Sequence, residues 1–135
     1  MSRHKIERED IDALLEFLPR FEQPGRVFAS WSETWKNADG SISLPFPEYG
    51  EDVQEFFRLV AQHGWLDYGY KPEEAARMLA DGELVGRADV EQLKTMLTYC
   101  LRGERFCEGF WETLLHGGQI AALLRRLRAI REQMD

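Results

Sequence analysis

The sequence predicts a mainly α-helical protein, a compact single-domain bundle of five to six helices with an aromatic loop or short β-hairpin inserted near residues 26–46. Two observations lead to this prediction. In most of the chain, apolar residues recur with the 3.6-residue period of amphipathic helices. Between residues 20 and 48, prolines and aromatic residues interrupt that period. A chain of 135 residues can bury one core, so residues 1–135 are expected to form a single helical domain.

The first half of the chain contains three predicted helices. Pro19 ends the first one, because proline removes a backbone donor and clashes with the preceding turn; its apolar face comprises Ile11, Leu14, Leu15 and Leu18. The second covers about residues 51–62, with Asp52 in the cap position and Gly64 after its end. Pro72 suits the first turn of a short third helix.

The last third of the chain has the most regular pattern. Asp89 and Gln92 predict a capping box at the start of a helix that Gly103 interrupts or bends. A further helix is predicted from the apolar residues Phe106, Cys107, Phe110, Trp111, Leu114 and Leu115. After a break at 117–118, a final helix is predicted from Ile120, Leu123, Leu124, Leu127 and Met134. The short breaks favour antiparallel neighbours.

The segment between the first two helices carries a hairpin signal. Asp39-Gly40 is typical of a tight turn, and it separates residues 35–37 from residues 41–44. Phe28, Trp31 and Trp35 precede that turn. Their burial is favourable, so the segment is expected to pack onto the helices.

Composition and charge exclude several classes of function. The net charge of −7 argues against a general nucleic-acid binder. No window of 18 apolar residues is present, and the first residues lack the apolar core of a signal peptide, which predicts a cytoplasmic protein without a membrane segment. Many acidic residues lie in predicted first turns, where helix dipoles account for them, while an acidic face for a basic partner is the alternative.

Neither a metal site nor a cofactor is expected. The histidines His4, His63 and His116 lie far apart in the sequence, and no C-x-x-C motif is present. Cys100 and Cys107 are expected to be small buried apolar side chains. Cys107 and His116 would lie about 13 Å apart along one helix, too far for a nucleophile and its base.

Residues 97–109 have the sequence LTYCLRGERFCEG, and Gly118-Gln119-Ile120 and residues 123–127 follow. This pattern resembles the bacterial family of unknown function DUF6508, in which T-x-x-x-R-x-x-R-F-C-x-G precedes G-x-I and L-x-R-L. Asp39-Gly40, residues 44–46 and residues 55–56 resemble the D-G…M-P-Y…E-F stretch of that family. The resemblance covers about residues 39–130. It implies a small helical bacterial protein and brings no established activity.

Three groups of residues are candidate sites. The best polar constellation comprises Arg102, Glu104, Arg105, Glu108 and His116. Its ligand or anion candidates are Arg102, Arg105 and Glu108: the two arginines bind a carboxylate or phosphate, or they satisfy exposed carbonyls at the bend near Gly103. On a continuous helix, Arg105 and Glu108 are also spaced to pair with each other. The candidate protein contacts are aromatic residues outside the helices, which otherwise cap the core: Trp31, Trp35, Trp65, Tyr68 and Tyr70. The basic cluster, a phosphate site or an acid-paired helix end, comprises Arg125, Arg126, Arg128 and Arg131.

These features predict a small acidic protein-binding module without enzymatic activity, a bacterial or phage-encoded inhibitor or adaptor. Exposed aromatic residues suit this role because they dominate the binding energy of protein interfaces. One alternative is a small-molecule binder or enzyme that uses Arg102, Arg105 and Glu108. A second is nucleic-acid binding through the C-terminal arginines, which the negative charge opposes. The expected partner is another protein, and the amphipathic final helix also allows a homodimer.

Overall fold

A computed structural model describes residues 5–62 and 64–134 of the chain. Within these residues, six helices have at least seven residues and two further segments form single helical turns. The helices are α1 Arg8–Leu15, α2 Leu18–Phe21, α3 Glu51–Gln62, α4 Pro72–Ala80, α5 Gly82–Val85, α6 Val90–Gly103, α7 Phe110–His116 and α8 Gln119–Glu132. The strands are β1 Ala29–Trp31, β2 Trp35–Lys36, β3 Ile42–Ser43 and β4 Pro47–Tyr49. The mainly α fold with a hairpin insertion is therefore confirmed.

The four strands form one interrupted antiparallel hairpin. β1 pairs with β4 and β2 pairs with β3, and in both pairs the partners are equidistant in sequence from Asp39. The Gly40 N–H donates to the carbonyl of Asn37 at 3.0 Å, and Gly40 has φ +91°. A tight turn followed by a left-handed residue is typical of a three-residue hairpin loop. The predicted turn at Asp39-Gly40 is thus present, and the hairpin extends beyond it to residues 29–49.

The core lies between the helices on one side of this hairpin. α1 and α2 pack on α8, α3 and α4 pack on α6, and α7 packs on both α6 and α8. Fully buried side chains from these elements include Phe56, Phe57, Leu97 and Leu123. Burying each such side chain contributes about 1.5–3 kcal/mol, so the core carries most of the favourable free energy of folding.

Trp65 belongs to this core rather than to a contact surface. Its side chain is 0% exposed, in the connector between α3 and α4. The prediction that Trp65 contacts a partner is therefore wrong, because a side chain with no solvent-exposed surface cannot touch another protein. Its large apolar ring fills the space between helices, which was the structural alternative for the aromatic residues.

Three predicted helix ends differ from the structure. α1 ends at Leu15, and Pro19 lies in the first turn of α2, where its missing donor has no cost. Asp52 lies inside α3 and not at its cap, and its carboxylate binds Arg26. α7 begins at Phe110, because Gly109 has φ +90° and stops helical geometry from continuing through residues 104–109.

Other predicted boundaries agree with the structure. The capping box of Asp89 and Gln92 is present at α6, which ends at Gly103. Gly118 has φ +82° and separates α7 from α8. None of the helices in the described part of the chain is long and apolar enough to cross a membrane.

Candidate functional site

The most prominent surface feature is a group of exposed apolar side chains on the hairpin, which we name the hairpin patch. Its members are between 40% and 73% exposed. They are Trp31, Trp35, Ile42, Leu44 and Phe46. The register pairs Trp35 with Ser43 and Lys36 with Ile42, so Trp35 and Ile42 lie on opposite faces of the hairpin. Large apolar residues scattered singly on a surface are ordinary, whereas several on both faces of one short element make that element a candidate interaction site.

Trp31 fixes the base of the hairpin patch to the helical body. Its indole Nε1 donates to Glu112 Oε1 at 2.9 Å, which ties β1 to the first turn of α7. The ring also lies against Gly109, where an added Cβ would come too close to it. Gly109 is therefore required both for its left-handed backbone and for the close approach of this indole.

The tip of the hairpin is held by its own polar side chains. The Trp35 indole N–H donates to Asn37 Oδ1 at 2.8 Å. The Asn37 amide in turn donates to the hydroxyls of Ser41 and Ser43, at 3.0 Å each. These bonds satisfy the polar atoms locally and leave the indole ring of Trp35 free for contact.

Hydrogen bonds to Ser41 also orient Asp39 at the turn. Asp39 Oδ1 accepts from the Ser41 N–H at 2.9 Å and from the Ser41 hydroxyl at 2.6 Å. The hydroxyl bond and the backbone bond hold the pKa of the Asp39 carboxyl below its usual value. The tip of the hairpin therefore carries a negative charge beside its exposed apolar side chains.

Glu104 organises the corner between α6 and α7. Its carboxylate accepts from the backbone N–H of Gly109 and of Trp111, both at 2.9 Å, so it caps the start of α7. It also accepts from the Tyr49 hydroxyl at 2.9 Å. Burial, followed by this hydrogen bond, raises the pKa of Tyr49 above its usual value.

The predicted constellation of Arg102, Arg105 and Glu108 is not assembled. The Arg102 guanidinium lies over the rings of Tyr68 and Tyr70, at 5.8 and 5.3 Å from their centroids. Arg105 and Glu108 are exposed, and their side chains form no hydrogen bond or ion pair within the described part of the chain. The predicted pairing of Arg105 with Glu108 is wrong because these residues lie in a loop, where helical spacing does not apply.

The aromatic contact candidates fall on two separate elements. Trp31 and Trp35 belong to the hairpin patch, whereas Tyr68 and Tyr70 lie in the connector before α4. Tyr68 is exposed, and Tyr70 is partly buried beside Arg102. The hairpin carries five exposed large apolar side chains and the connector carries one, Tyr68, so the hairpin is the stronger candidate for a contact surface.

The C-terminal arginines mainly tie α8 to its neighbours. Arg125 pairs with Glu22 at 2.6 Å and Arg131 with Asp12 at 2.8 Å. Arg126 donates to the carbonyl of Ala88 at 2.8 Å. Arg128 is exposed and has no polar partner among residues 5–62 and 64–134. The acid-paired helix end therefore describes two of the four arginines, and a third binds a backbone carbonyl, which leaves little free charge for phosphate.

The two cysteines have different environments. Cys100 is buried, and burial raises the pKa of its thiol. Cys107 is exposed, so the prediction that both cysteines are buried is wrong for Cys107. Its loop position explains the difference, because it lies ahead of the first residue of α7.

His116 is the only histidine among residues 5–62 and 64–134. The ring of His116 packs edge-on against Phe28, with the centroids 5.1 Å apart. His4 and His63 lie outside the described residues. Among the residues that the structure describes, no group of three or more His, Cys, Asp or Glu side chains could hold a metal ion.

Sequence reasoning missed three of the five members of the hairpin patch. Ile42, Leu44 and Phe46 were not among the candidates, which were restricted to tryptophan and tyrosine. A signal was available, because Ile42 and Leu44 alternate with serines just after the predicted turn. In a two-stranded hairpin with no second layer, apolar residues at such positions remain exposed.

Comparisons with known proteins identify a family and no characterised relative. Neither the curated proteins nor the solved structures include a significant match to this chain. The model of the family of unknown function DUF6508 matches residues 6–133, which is nearly the whole sequence and includes both the hairpin and all eight helical segments of the described residues. The chain therefore belongs to the family of unknown function DUF6508.

Proposed function

We propose that this chain is a protein-binding module without enzymatic activity, and that the hairpin patch is its contact surface. The observation that carries this proposal is the exposure of five large apolar side chains on one hairpin of 21 residues, 29–49. Tryptophan and other large apolar residues supply most of the binding energy where proteins meet. The base of the patch is anchored through Trp31, so the surface is largely formed before binding.

Backbone groups of the hairpin support the same proposal. Within the described residues, each sheet contains only two strands, so both outer edges of the hairpin lack a partner strand. An extended segment of another protein can add to such an edge through main-chain hydrogen bonds. The exposed side chains next to the edge would then determine which segments fit.

The charge around the hairpin patch favours a basic partner. The hairpin carries the exposed acids Glu33, Asp39 and Glu48 against a single lysine, Lys36. Glu112 adds a further carboxylate beside Trp31. A partner with an apolar centre and a rim of lysine or arginine would match this surface, and attraction between the charges would accelerate association. In this role the chain would act as a cytoplasmic inhibitor or adaptor of bacterial or phage origin.

Site-specific photo-crosslinking in the native host tests this proposal. A photoreactive phenylalanine analogue would replace Leu44 at the hairpin tip, and in the control it would replace the exposed Arg128 on α8. We expect one abundant basic protein to be captured at position 44 and not at position 128. The same adduct should disappear when Trp35→Ser and Ile42→Ser are introduced.

The purified partner then allows a quantitative test. Calorimetry should show that the partner binds the wild-type chain and that its affinity falls with added salt. Trp35→Ser should lower the affinity about tenfold or more. Capture of only a second copy of this chain would contradict the basic partner and assign the hairpin to a homodimer. Equal capture at positions 44 and 128 would refute the hairpin patch as a specific surface.

A further inference from the structure

A cavity of about 490 Å³ lies apart from the hairpin patch. It is bounded by the C-terminal end of α3, the connector between α3 and α4, and the first turns of α6. Pockets of about 300–1,000 Å³ are typical sites for small molecules. The side chains around this cavity include Gln62, Leu66, Asp67, Tyr68, Glu91 and Lys94.

Lys94 is the unusual residue in this cavity. Its side chain is only 8% exposed, although lysine is among the residues that are almost never buried. Its ammonium lies 3.9 Å from Glu91 Oε2, which is too far for a hydrogen bond, and Glu91 is itself 69% exposed. No side-chain hydrogen bond of Lys94 to the rest of the described chain is present. The side chain of Lys94 is buried along most of its length, and its ammonium reaches the wall of the cavity without a hydrogen-bond partner in the described chain. Such an ammonium favours a ligand that supplies oxygen acceptors.

Asp67 presents a fixed carboxylate to the same cavity. Its Oδ1 accepts from the Gly69 N–H at 3.1 Å, and its Oδ2 accepts from the Thr95 hydroxyl at 2.8 Å. Its own backbone N–H donates to Thr98 Oγ1 at 2.9 Å. A carboxylate has about four lone-pair sites, so two of them stay available to a donor on a ligand. The position of this group is set before any ligand enters.

The balance of charges selects the class of ligand. Among the described residues that line the cavity, the charged groups are the ammonium of Lys94 and the carboxylates of Asp67 and Glu91. A simple anion such as phosphate would be repelled by the two acids, and a simple cation would be repelled by Lys94. A molecule that carries one carboxylate and one ammonium satisfies both kinds of group.

The remaining lining suits a side chain on that molecule. Leu66 and the ring of Tyr68 contribute apolar surface beside the charged groups. Tyr68 is stacked by the Arg102 guanidinium, whose carbon lies 5.8 Å from the ring centroid. This contact orients the ring at the rim of the cavity.

We propose that this cavity binds a small zwitterion of the amino-acid class. Lys94 receives the carboxylate of the ligand, and Asp67 and Glu91 receive its ammonium. The proposal is independent of the hairpin patch, because it uses none of the same residues.

Calorimetric titration of the full-length chain tests this proposal. The probes are the standard L-amino acids, one at a time, with inorganic phosphate as a separate probe. For the amino acid that binds best, the matched probes are its carboxamide, which lacks the carboxylate, and the corresponding acid without the amino group. We expect each matched probe to bind about tenfold more weakly or worse, because each lacks one charged contact. Absence of binding by every amino acid, or equal binding by phosphate, would overturn the proposal.

Variants locate the site. Lys94→Met keeps the apolar stem and removes the ammonium, and the exposed Lys36 of the hairpin supplies the matched control Lys36→Met. We expect Lys94→Met to weaken binding about tenfold or more and Lys36→Met to leave it unchanged. Unchanged binding by Lys94→Met would place the ligand elsewhere and refute the assignment. If Lys94→Met loses its circular dichroism spectrum, the probe series on the wild-type chain decides the question.

Discussion

Tyr49 of the hairpin donates its phenolic hydrogen bond to Glu104 Oε1 at 2.9 Å, at the corner between α6 and α7. The same oxygen accepts from the backbone of Trp111, whose ring lies 5.1 Å from that of Tyr49, centroid to centroid. One carboxylate therefore both starts α7 and holds the hairpin in place. The orientation of the exposed hairpin patch depends on a residue that is distant from it in sequence.

The first prediction concerns this carboxylate. Glu104→Ala should lower the free energy of unfolding by about 1–3 kcal/mol, because two backbone donors and the Tyr49 hydroxyl lose their acceptor. Urea denaturation followed by circular dichroism measures the change. Glu108→Ala is the matched control, since Glu108 is exposed in the same loop, and it should change stability by less than about 0.5 kcal/mol. Equal effects of both substitutions would contradict the capping role.

A second prediction follows from the partly buried ion pair of Arg26 and Asp52. Two hydrogen bonds, of 2.5 and 2.7 Å, join the guanidinium to the carboxylate. They hold the pKa of Asp52 below its ordinary value of 3.8. Because the pKa is lower in the folded chain, the stabilisation is complete above the unfolded value and is lost as pH falls through the folded value.

Asp52→Asn tests that pH dependence. At neutral pH the free energy of unfolding of the variant should be about 1–3 kcal/mol lower than that of the wild type. Below pH 3.8 the two stability curves should converge as the wild-type carboxylate becomes protonated. The control is Glu55→Gln, which breaks the exposed pair with Arg58 and should cost less than about 1 kcal/mol. A constant difference between wild type and Asp52→Asn down to acid pH would refute the assigned role of this carboxylate.

The third prediction separates two tryptophans that have the same apparent status in the sequence. Trp65→Ala should destabilise the fold by about 3–5 kcal/mol, because it leaves a large cavity in the core. Trp35→Ala should cost less than about 1 kcal/mol, because its ring is exposed at the hairpin tip. Thermal and urea unfolding of both variants measures this contrast. If Trp35→Ala lowers the free energy of unfolding by more than about 1 kcal/mol, the hairpin tip belongs to the folded core.

Local signals explain which parts of this structure the sequence could predict. The capping box of Asp89 and Gln92 and the turn at Asp39-Gly40 involve residues within three positions of each other, and both are present. The start of α7 depends on Glu104, which accepts from the Trp111 N–H seven positions later, a longer spacing than that of a capping box. Burial of Trp65 depends on its place in the hydrophobic core, whose members come from distant parts of the sequence. Tertiary contacts, rather than local preference, decided both of these positions.

The last prediction concerns Gly103, which ends α6. An added Cβ at Gly103 would collide with the ring of Phe110, whereas a Cβ at Gly82 of α5 would meet no atom within 4 Å. Replacing glycine by alanine in a helix favours folding by about 0.5–1 kcal/mol when there is room, so Gly82→Ala should stabilise the chain slightly. Gly103→Ala should instead destabilise the chain, because displacement of the Phe110 ring from its contact with Tyr99 should cost about 1–3 kcal/mol. Parallel urea titrations of the two variants measure both changes. Stabilisation by Gly103→Ala would mean that the ring of Phe110 moves aside freely, and that glycine is not required at this corner.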